Sequence, residues 1–459
     1  MEDSTMRMFS DVAPFRRDPL SFLVERGTTA TEPLMPLAFG MRPLFLLTDP
    51  DYIKPLLKMP EEVMDKGPMV KKVRAVTGNN VTVLGGEENK RRRAVLHSVV
   101  GRTAVEGLTP MLARETRMAI AEVMKDGTFD ARQFGASVAL RLVSVVSFGA
   151  NALSPEDVEI VIQALRQAMV ELANTIFGPL QMPWAYLAQR RRIEGFKQDM
   201  IGVVRRVRQR APESAIIRSY GELGLSDRDT ADEILTLLLA GHDTTGATVA
   251  WLCHTMATMP ELADQIAAEA DAVRDDEGEI DFAKLASATT TTAAVREVLR
   301  LFPPGYWTGR GVREDVEFGG RKLRRGTAII VSPWLFHRCS RFWEAPNEFR
   351  LDRNYTAKAY IPFGTGPRVC IGQALAFLEL QIITLEVASA MRLVAKEPLG
   401  APVPGVHLSP PAIPMEARER QSIRTSPSKN SGLASDEFTS SELAEPFRSG
   451  CPVHAHGGT

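Results

Sequence analysis

One of the four cysteines in this 459-residue chain, Cys370, stands in surroundings suited to chemistry. The segment FGTGPRVCIGQALA surrounds it with Gly364, Gly366, Pro367 and Gly372, at the junction of a tight loop and a helical pattern. Glycines there let the backbone come close to a flat group, and amides around the sulfur can hydrogen-bond it. The N-terminus of the following helix adds positive potential, which favours the thiolate. These are the demands of an iron–thiolate ligand. Cys253 and Cys339 lie inside apolar-patterned segments and read as small buried side chains. The cysteines form no CxxC pair, so neither a zinc ribbon nor a disulfide framework is suggested, and a reducing compartment fits.

Two further clusters carry chemistry. AGHDTT places Gly241, Asp243, Thr244 and Thr245 in the middle of a long apolar pattern. Glycine inside a helix costs about 1 kcal/mol against alanine, and the three polar residues offer competing hydrogen bonds, which suggests a functional distortion. His242 beside them reads as a hydrogen-bonded packing residue. Glu297 and Arg300, three apart, share one helix face, where an exposed pair contributes only about 0.2–0.5 kcal/mol.

The elements that must position these residues follow from the pattern. The first hundred residues mix short apolar runs with Pro and Gly and predict a small sheet with connecting helices. From 103 to 274 the periodicity is helical. A buried helix begins near Asp229 or Thr230 and stops before Pro260, about 30 residues or about 45 Å long. A second ends at Pro303-Pro304, strands follow at VEFGG and TAIIVS, and a last helix opens just after Cys370. Beyond about Met415 the chain turns rich in Ser, Thr, Glu and Arg, which predicts a disordered tail.

Composition excludes several classes. With 55 basic and 56 acidic residues the formal net charge is −1, so no basic field argues for nucleic acid or an anionic membrane. The most apolar stretch, LMPLAFGMRPLFLL, is short and interrupted by Arg42 and Pro43, and predicts core strands in place of a membrane anchor. No secretory signal stands at the N-terminus, so a cytoplasmic location is expected.

The order F-x-x-G-x-R-x-C-x-G around Cys370, with AGHDTT and E-x-x-R upstream, resembles the cytochrome P450 superfamily of the soluble bacterial type. The resemblance implies a mainly α fold with small β-sheets, a triangular helical prism holding haem between a distal and a proximal helix. It divides the chain into a flexible N-terminus (1–13), a single haem domain (14–415) and a tail (416–459). It makes haem b the cofactor and Cys370 its axial ligand, with Phe363, Gly366 and Gly372 shaping the loop and Arg368, Arg93, Arg310 and His337 meeting the propionates. The family often places His or Trp where this chain has Asn89. Arg91 and Arg92 are either a solvated basic face or a contact for an acidic electron donor. Glu297 and Arg300 become a buried pair completed by Arg353, here preceded by Leu351-Asp352 where the family usually has Pro and an acidic residue.

By the same resemblance Asp243 and Thr244 are the acid–alcohol pair that relays protons to bound oxygen, which marks an O2-using monooxygenase over a peroxide-using relative. The two electrons would come from a separate ferredoxin or flavodoxin with its reductase, since the length leaves no room for a fused donor. A haem-thiolate sensor or binding protein is the non-enzymatic alternative. The pocket is expected around Met69 to Val83, Phe177, Met182, Trp184, Leu237, Tyr306 and Trp307, and suits a lipophilic terpenoid, fatty acid or polyketide-like molecule. The segment from Cys451 to His456 resembles haem- or metal-binding tails, though linkers generate such clusters easily.

Overall fold

A 32-residue helix runs through the middle of the molecule, and the other helices are arranged around it. The computed structural model describes residues 8–178, 182–212, 214–355 and 358–420. Ten helices matter to the site: α1 (Met69–Thr77), α2 (Gly86–Val100), α3 (Thr109–Asp126), α4 (Ala131–Phe148), α5 (Pro155–Phe177), α6 (Pro183–Arg210), α7 (Asp227–Thr258), α8 (Pro260–Ala272), α9 (Thr289–Leu301) and α10 (Gln373–Ala390). The long helix α7 starts two residues before the expected cap. Ser226 accepts from the Asp229 N–H, and Asp227 and Asp229 in the first turn complement the helix dipole.

α4 lies along α7 with the two backbones in contact. A Cβ on Gly135 would overlap the Gly246 carbonyl oxygen, and one on Gly246 would stand 2.9 Å from the Gly135 oxygen. α10 is apolar on all sides and packs against α3, α7, α8 and α9. Among the described residues it is the one helix long and apolar enough to cross a membrane, and most of it is buried in the body.

The strands are short: β1 (Leu34–Leu37), β2 (Leu44–Leu47), β3 (Met64–Asp65), β4 (Thr128–Asp130), β5 (Thr308–Val312), β6 (Val316–Phe318), β7 (Arg321–Leu323), β8 (Ala328–Val331), β9 (Met391–Ala395), β10 (Val403–Pro404), β11 (Leu408–Ser409) and β12 (Pro414–Glu419). The largest sheet has the order β1-β2-β8-β5-β3, with β2 and β8 parallel and the other pairs antiparallel. β4-β12-β9 form a second sheet, and β6-β7 and β10-β11 are hairpins. One apolar core fills the helical body and a second lies under the large sheet.

Both expected chain boundaries move. Residues 8–13 are ordered because Asp11 is buried, ion-paired with Arg26 and accepting from the Ala38 N–H at 2.8 Å. At the other end, residues 416–420 belong to the body. Met415 and Ala417 point inward at period two in β12, an alternation masked by the intervening Glu416 and Arg418, and Arg420 pairs with Asp264 at 2.5 Å. The rest of the expected tail, including Cys451, His454 and His456, lies outside the described residues.

Gly135→Val would force a side chain into the Gly246 carbonyl, and overpacking of this kind costs about 1–3 kcal/mol or more. Chemical denaturation is expected to show that loss; unchanged stability would mean that the two helices can separate without penalty.

Candidate active site

A cavity of about 580 Å3 lies between α7 and the loop that leads into α10. Its floor is the segment Ile361 to Gly372 and its roof is Ala240, Gly241, Thr244, Thr245 and Thr248 of α7. Cys370 is the only cysteine on its wall among the described residues, and its exposure is to this internal space. The Cys370 N–H donates to the Phe363 carbonyl at 2.9 Å, which turns the chain back on itself. Gly364 and Gly366 make this turn possible with φ of +71° and +78°, and a Cβ on Gly366 would stand 2.5 Å from the Leu57 oxygen. Gly372 caps α10.

The Gly372 N–H at the helix terminus acts to lower the thiol, in the expected direction, but does not prevail over burial. Burial pushes Cys370 up, and the Gly372 N–H and the Arg93 charge only partly oppose it. A thiol so placed becomes a thiolate once a cation binds it. No three His, Cys, Asp or Glu side chains converge as a bare metal site among the described residues, so a metal held by Cys370 must bring its other ligands with it.

One side of the cavity is lined by cations. Lys66, Arg310 and Arg368 are on the wall, and Arg93 reaches the Val369 carbonyl at 3.0 Å. Burial pushes Lys66 down to about 7, with the charges of Arg368, Arg310 and Arg93 adding to the effect. Arg310 is pushed down to about 10 by burial and then by Arg368. Glu61, paired with Arg368 at 2.6 Å, and Asp65 near Arg310 are the carboxylates that oppose them. The surplus positive charge is complementary to a ligand carrying two carboxylates.

His337 is not in this cluster. Its Nδ1 lies 3.0 Å from the Arg300 carbonyl and its Nε2 accepts from the Ile361 N–H at 3.0 Å, so both ring nitrogens are committed to backbone. It is fully buried and absent from the cavity wall. Arg92 is also reassigned: it is buried, 2.9 Å from Glu233 of α7, and cannot meet a donor protein. Asn89 donates to the Val81 carbonyl at 2.5 Å. Together with Asp232, which accepts from the Asn79 N–H at 2.9 Å, these contacts fasten residues 79–81 onto α7.

Glu297 and Arg300 are fully buried and joined by two hydrogen bonds of 2.7 and 2.8 Å. Arg353 donates to Glu297 at 2.7 Å and Tyr355 at 2.9 Å, so the Leu351-Asp352 departure leaves the arginine in reach. Arg300 also donates to the carbonyls of His337, Pro346 and Glu348. The network therefore braces the chain from 337 to 361 that ends at the Cys370 loop.

In the roof, α7 is unbroken across AGHDTT, and Gly241 answers to packing: a Cβ there would stand 2.8 Å from Val143 of α4. Thr244 faces the cavity and donates to the Ala240 carbonyl at 2.6 Å. Asp243 is off the wall, with His242 Nδ1 3.2 Å from its Oδ1 in poor hydrogen-bonding geometry. Of the expected pocket residues, Met69, Leu237 and Trp307 line the cavity. Phe177, Met182 and Trp184 are exposed on the surface, and Tyr306 is buried with its hydroxyl on the Gly405 carbonyl at 3.0 Å.

A family model for cytochrome P450 matches residues 15–394. The chain belongs to the cytochrome P450 family. Among its relatives are cyclooctat-9-en-7-ol 5-monooxygenase of Streptomyces melanosporofaciens, 26% identical over 85% of this chain and 87% of that one, and pentalenene oxygenase of Streptomyces avermitilis, 27% identical over 89% and 94%. The crystal structure of CYP175A1 from Thermus thermophillus superposes with a TM-score of 0.71 at 23% identity, covering 90% of this chain and 98% of that one, and shows the same fold. This P450 is thus a monooxygenase whose haem is held by a cysteine thiolate. Its cavity fits that group: a buried thiol that needs a cation on one face, and a cationic wall that needs two carboxylates.

Sequence reasoning missed Lys66, the clamp at Asp232 and Glu233, and Glu379. The last had a signal: it is one of two acids, with Glu386, inside the otherwise apolar run of α10. Glu379 is 3% exposed on the cavity wall, its Oε1 has no protein partner, and burial pushes it up to about 8 against slight relief from the Thr245 hydroxyl at 3.4 Å. Below its ordinary value of 4.5 the group is protonated whether the chain is folded or not; between 4.5 and about 8 only the folded chain keeps the proton, so stability falls as pH rises. Glu379→Gln is expected to flatten that fall in denaturation measured from about pH 5 to about pH 8. The same slope in both proteins would place an ionised carboxylate in the folded chain.

Proposed function

We propose that this P450 oxidises a lipophilic polycyclic terpenoid, using O2 and two electrons from a separate ferredoxin or flavodoxin with its reductase, as a soluble protein of the cytoplasm. The observation that carries the reading is the apolar cavity on which Cys370, the cations and Thr244 all converge. Terpenoid is preferred over fatty acid or polyketide because two relatives are named for cyclooctat-9-en-7-ol and pentalenene. The remaining wall, with Met69, Val70, Val73, Leu237, Trp307 and Val406, offers such a molecule few polar partners.

In this reading Cys370 would hold the haem iron as its thiolate ligand, with Phe363, Gly366 and Gly372 shaping its loop. Arg93, Arg310 and Arg368, joined by Lys66, hold the propionates. Glu297, Arg300 and Arg353 keep the loop in register. The bound haem supplies the O2 chemistry, and its thiolate ligand favours O–O cleavage. The chain supplies protons: the Thr244 hydroxyl, now turned to the Ala240 carbonyl, is the donor at the cavity surface, and Asp243 one residue earlier replenishes it from the outer side of α7.

Two results test the assignment. The reduced carbon-monoxide complex is expected to show the red-shifted Soret band of thiolate ligation and to lose it in Cys370→Ser; retention would overturn the ligand. Thr244→Ala is expected to bind a polycyclic terpene with a normal haem spin-state shift and to oxidise reductant, while releasing most of the consumed O2 as peroxide. Unchanged coupling would remove Thr244 from proton delivery, and a spin-state response to fatty acids alone would overturn the terpenoid reading.

A further inference from the structure

The start of α6 turns apolar side chains outward. Gln189, Ile193 and Phe196 are the buried side of its first turns, while Trp184, Leu187 and Arg191 share the opposite face at helical spacing. Trp184 is 67% exposed and Leu187 57%, and Met182 and Tyr186 between and before them are exposed as well. Phe177, the last residue of α5, adds to the set. Single exposed apolar side chains are ordinary, but a contiguous group of this size marks an interaction surface.

Cations flank this group. Glu171 of α5 accepts from Gln189 at 2.8 Å and from Arg192 at 2.6 Å, which fixes the end of α5 on α6. Lys72 of α1 donates to the Ile176 carbonyl at 3.5 Å and brings α1 alongside. That helix is two-sided: Met69, Val70 and Val73 line the cavity, whereas Lys71, Lys72 and Arg74 are exposed. Arg190 and Arg191 are exposed on α6, about two turns beyond Trp184. Among the described residues none of these cations pairs with a carboxylate; Glu171 is buried, and Glu194 is held by Arg228 at 2.7 Å. The net charge of −1 over the whole chain hides this local surplus.

We propose that the first turns of α6 and the outer face of α1 dock this protein reversibly on an anionic lipid bilayer. Charge decides the occupant. A second copy of the chain would set the same cations against one another with no acid to meet them, while anionic headgroups neutralise them. Trp184 and Tyr186 suit the headgroup level, Met182 and Leu187 the hydrocarbon edge, and Arg190 and Arg191 the phosphates above it. The contact is peripheral, because the one described helix apolar enough to span, α10, is mostly buried in the body. Docking in this way delivers a lipophile dissolved in the bilayer to the side of the cavity that α1 forms with Met69 and Val73. The inference stands on the exposed surface and holds for any lipophilic substrate.

The test is co-sedimentation of the haem-loaded full chain with vesicles of phosphatidylcholine alone or of phosphatidylcholine mixed with phosphatidylglycerol. Binding is expected to the mixed vesicles only and to weaken as salt is raised. Each cation near an anionic surface is worth about a fivefold change in partition, so Lys71→Gln combined with Arg191→Gln is expected to lower it about twentyfold. Trp184→Ser combined with Leu187→Ser is expected to abolish sedimentation. All four side chains are exposed, so both double variants are expected to keep the Soret band, the thermal midpoint and the spin-state response to a polycyclic terpene added in solution. That keeps lost docking separate from misfolding and from failure of the terpenoid reading. No sedimentation of the unaltered protein, or sedimentation unchanged in either double variant, overturns the proposal. So does equal binding to both kinds of vesicle. A dimer in sedimentation equilibrium that Trp184→Ser with Leu187→Ser disperses would give this face to a second copy and overturn the lipid assignment.

Discussion

The Glu297–Arg300 pair is the constraint on which the rest of the site depends. Two opposite charges sit in the core with no exposure, and removing either partner would leave the other unpaired at a cost of about 3–5 kcal/mol. The carboxylate is satisfied by Arg353 and Tyr355 as well as Arg300, and the guanidinium by three carbonyls drawn from residues 337–348. Those carbonyls belong to chain without regular structure. His337 carries the restraint onward by bridging Arg300 to Ile361, and nine residues later the chain delivers Cys370 to the cavity. The pair therefore acts at a distance on a loop it does not touch.

The cavity adds a second imbalance. Four cations cluster around one end of an apolar space, and their mutual repulsion together with burial lowers Lys66, Arg93 and Arg310. A dianionic cofactor relieves that repulsion, and iron relieves the burial cost of the thiol on the opposite side. Cofactor binding is thus coupled to stability, because the group neutralises costs the polypeptide alone bears.

Much of this was legible in the sequence where local spacing carries the information. The loop around Cys370 is written in glycines that backbone geometry requires, and the E-x-x-R spacing puts two charges on one face of α9. Helical periodicity located α7 and α10 within a few residues. What was not legible depends on contacts across the chain. Arg92 reads as part of a basic run until α7 brings Glu233 against it, and His337 reads as a propionate partner until both its nitrogens meet backbone. Lys66 has no motif, since only the fold places it beside Arg310 and Arg368. The inward alternation of β12 was hidden because charged residues occupy its outer positions.

The contact between Gly135 and Gly246 fixes more than a helix pair. At this crossing no side chain separates α4 from α7, so the spacing of the two helices there is set by the van der Waals radii of main-chain atoms, which substitution cannot change in small steps. A lineage carrying this pair keeps that helix spacing and can vary its cavity through wall side chains, among them Met69, Val73, Leu237, Trp307 and Val406, which come from four separate stretches of chain. Chemical diversification is thereby channelled to side chains that can vary one at a time while the oxygen-facing surface keeps its shape.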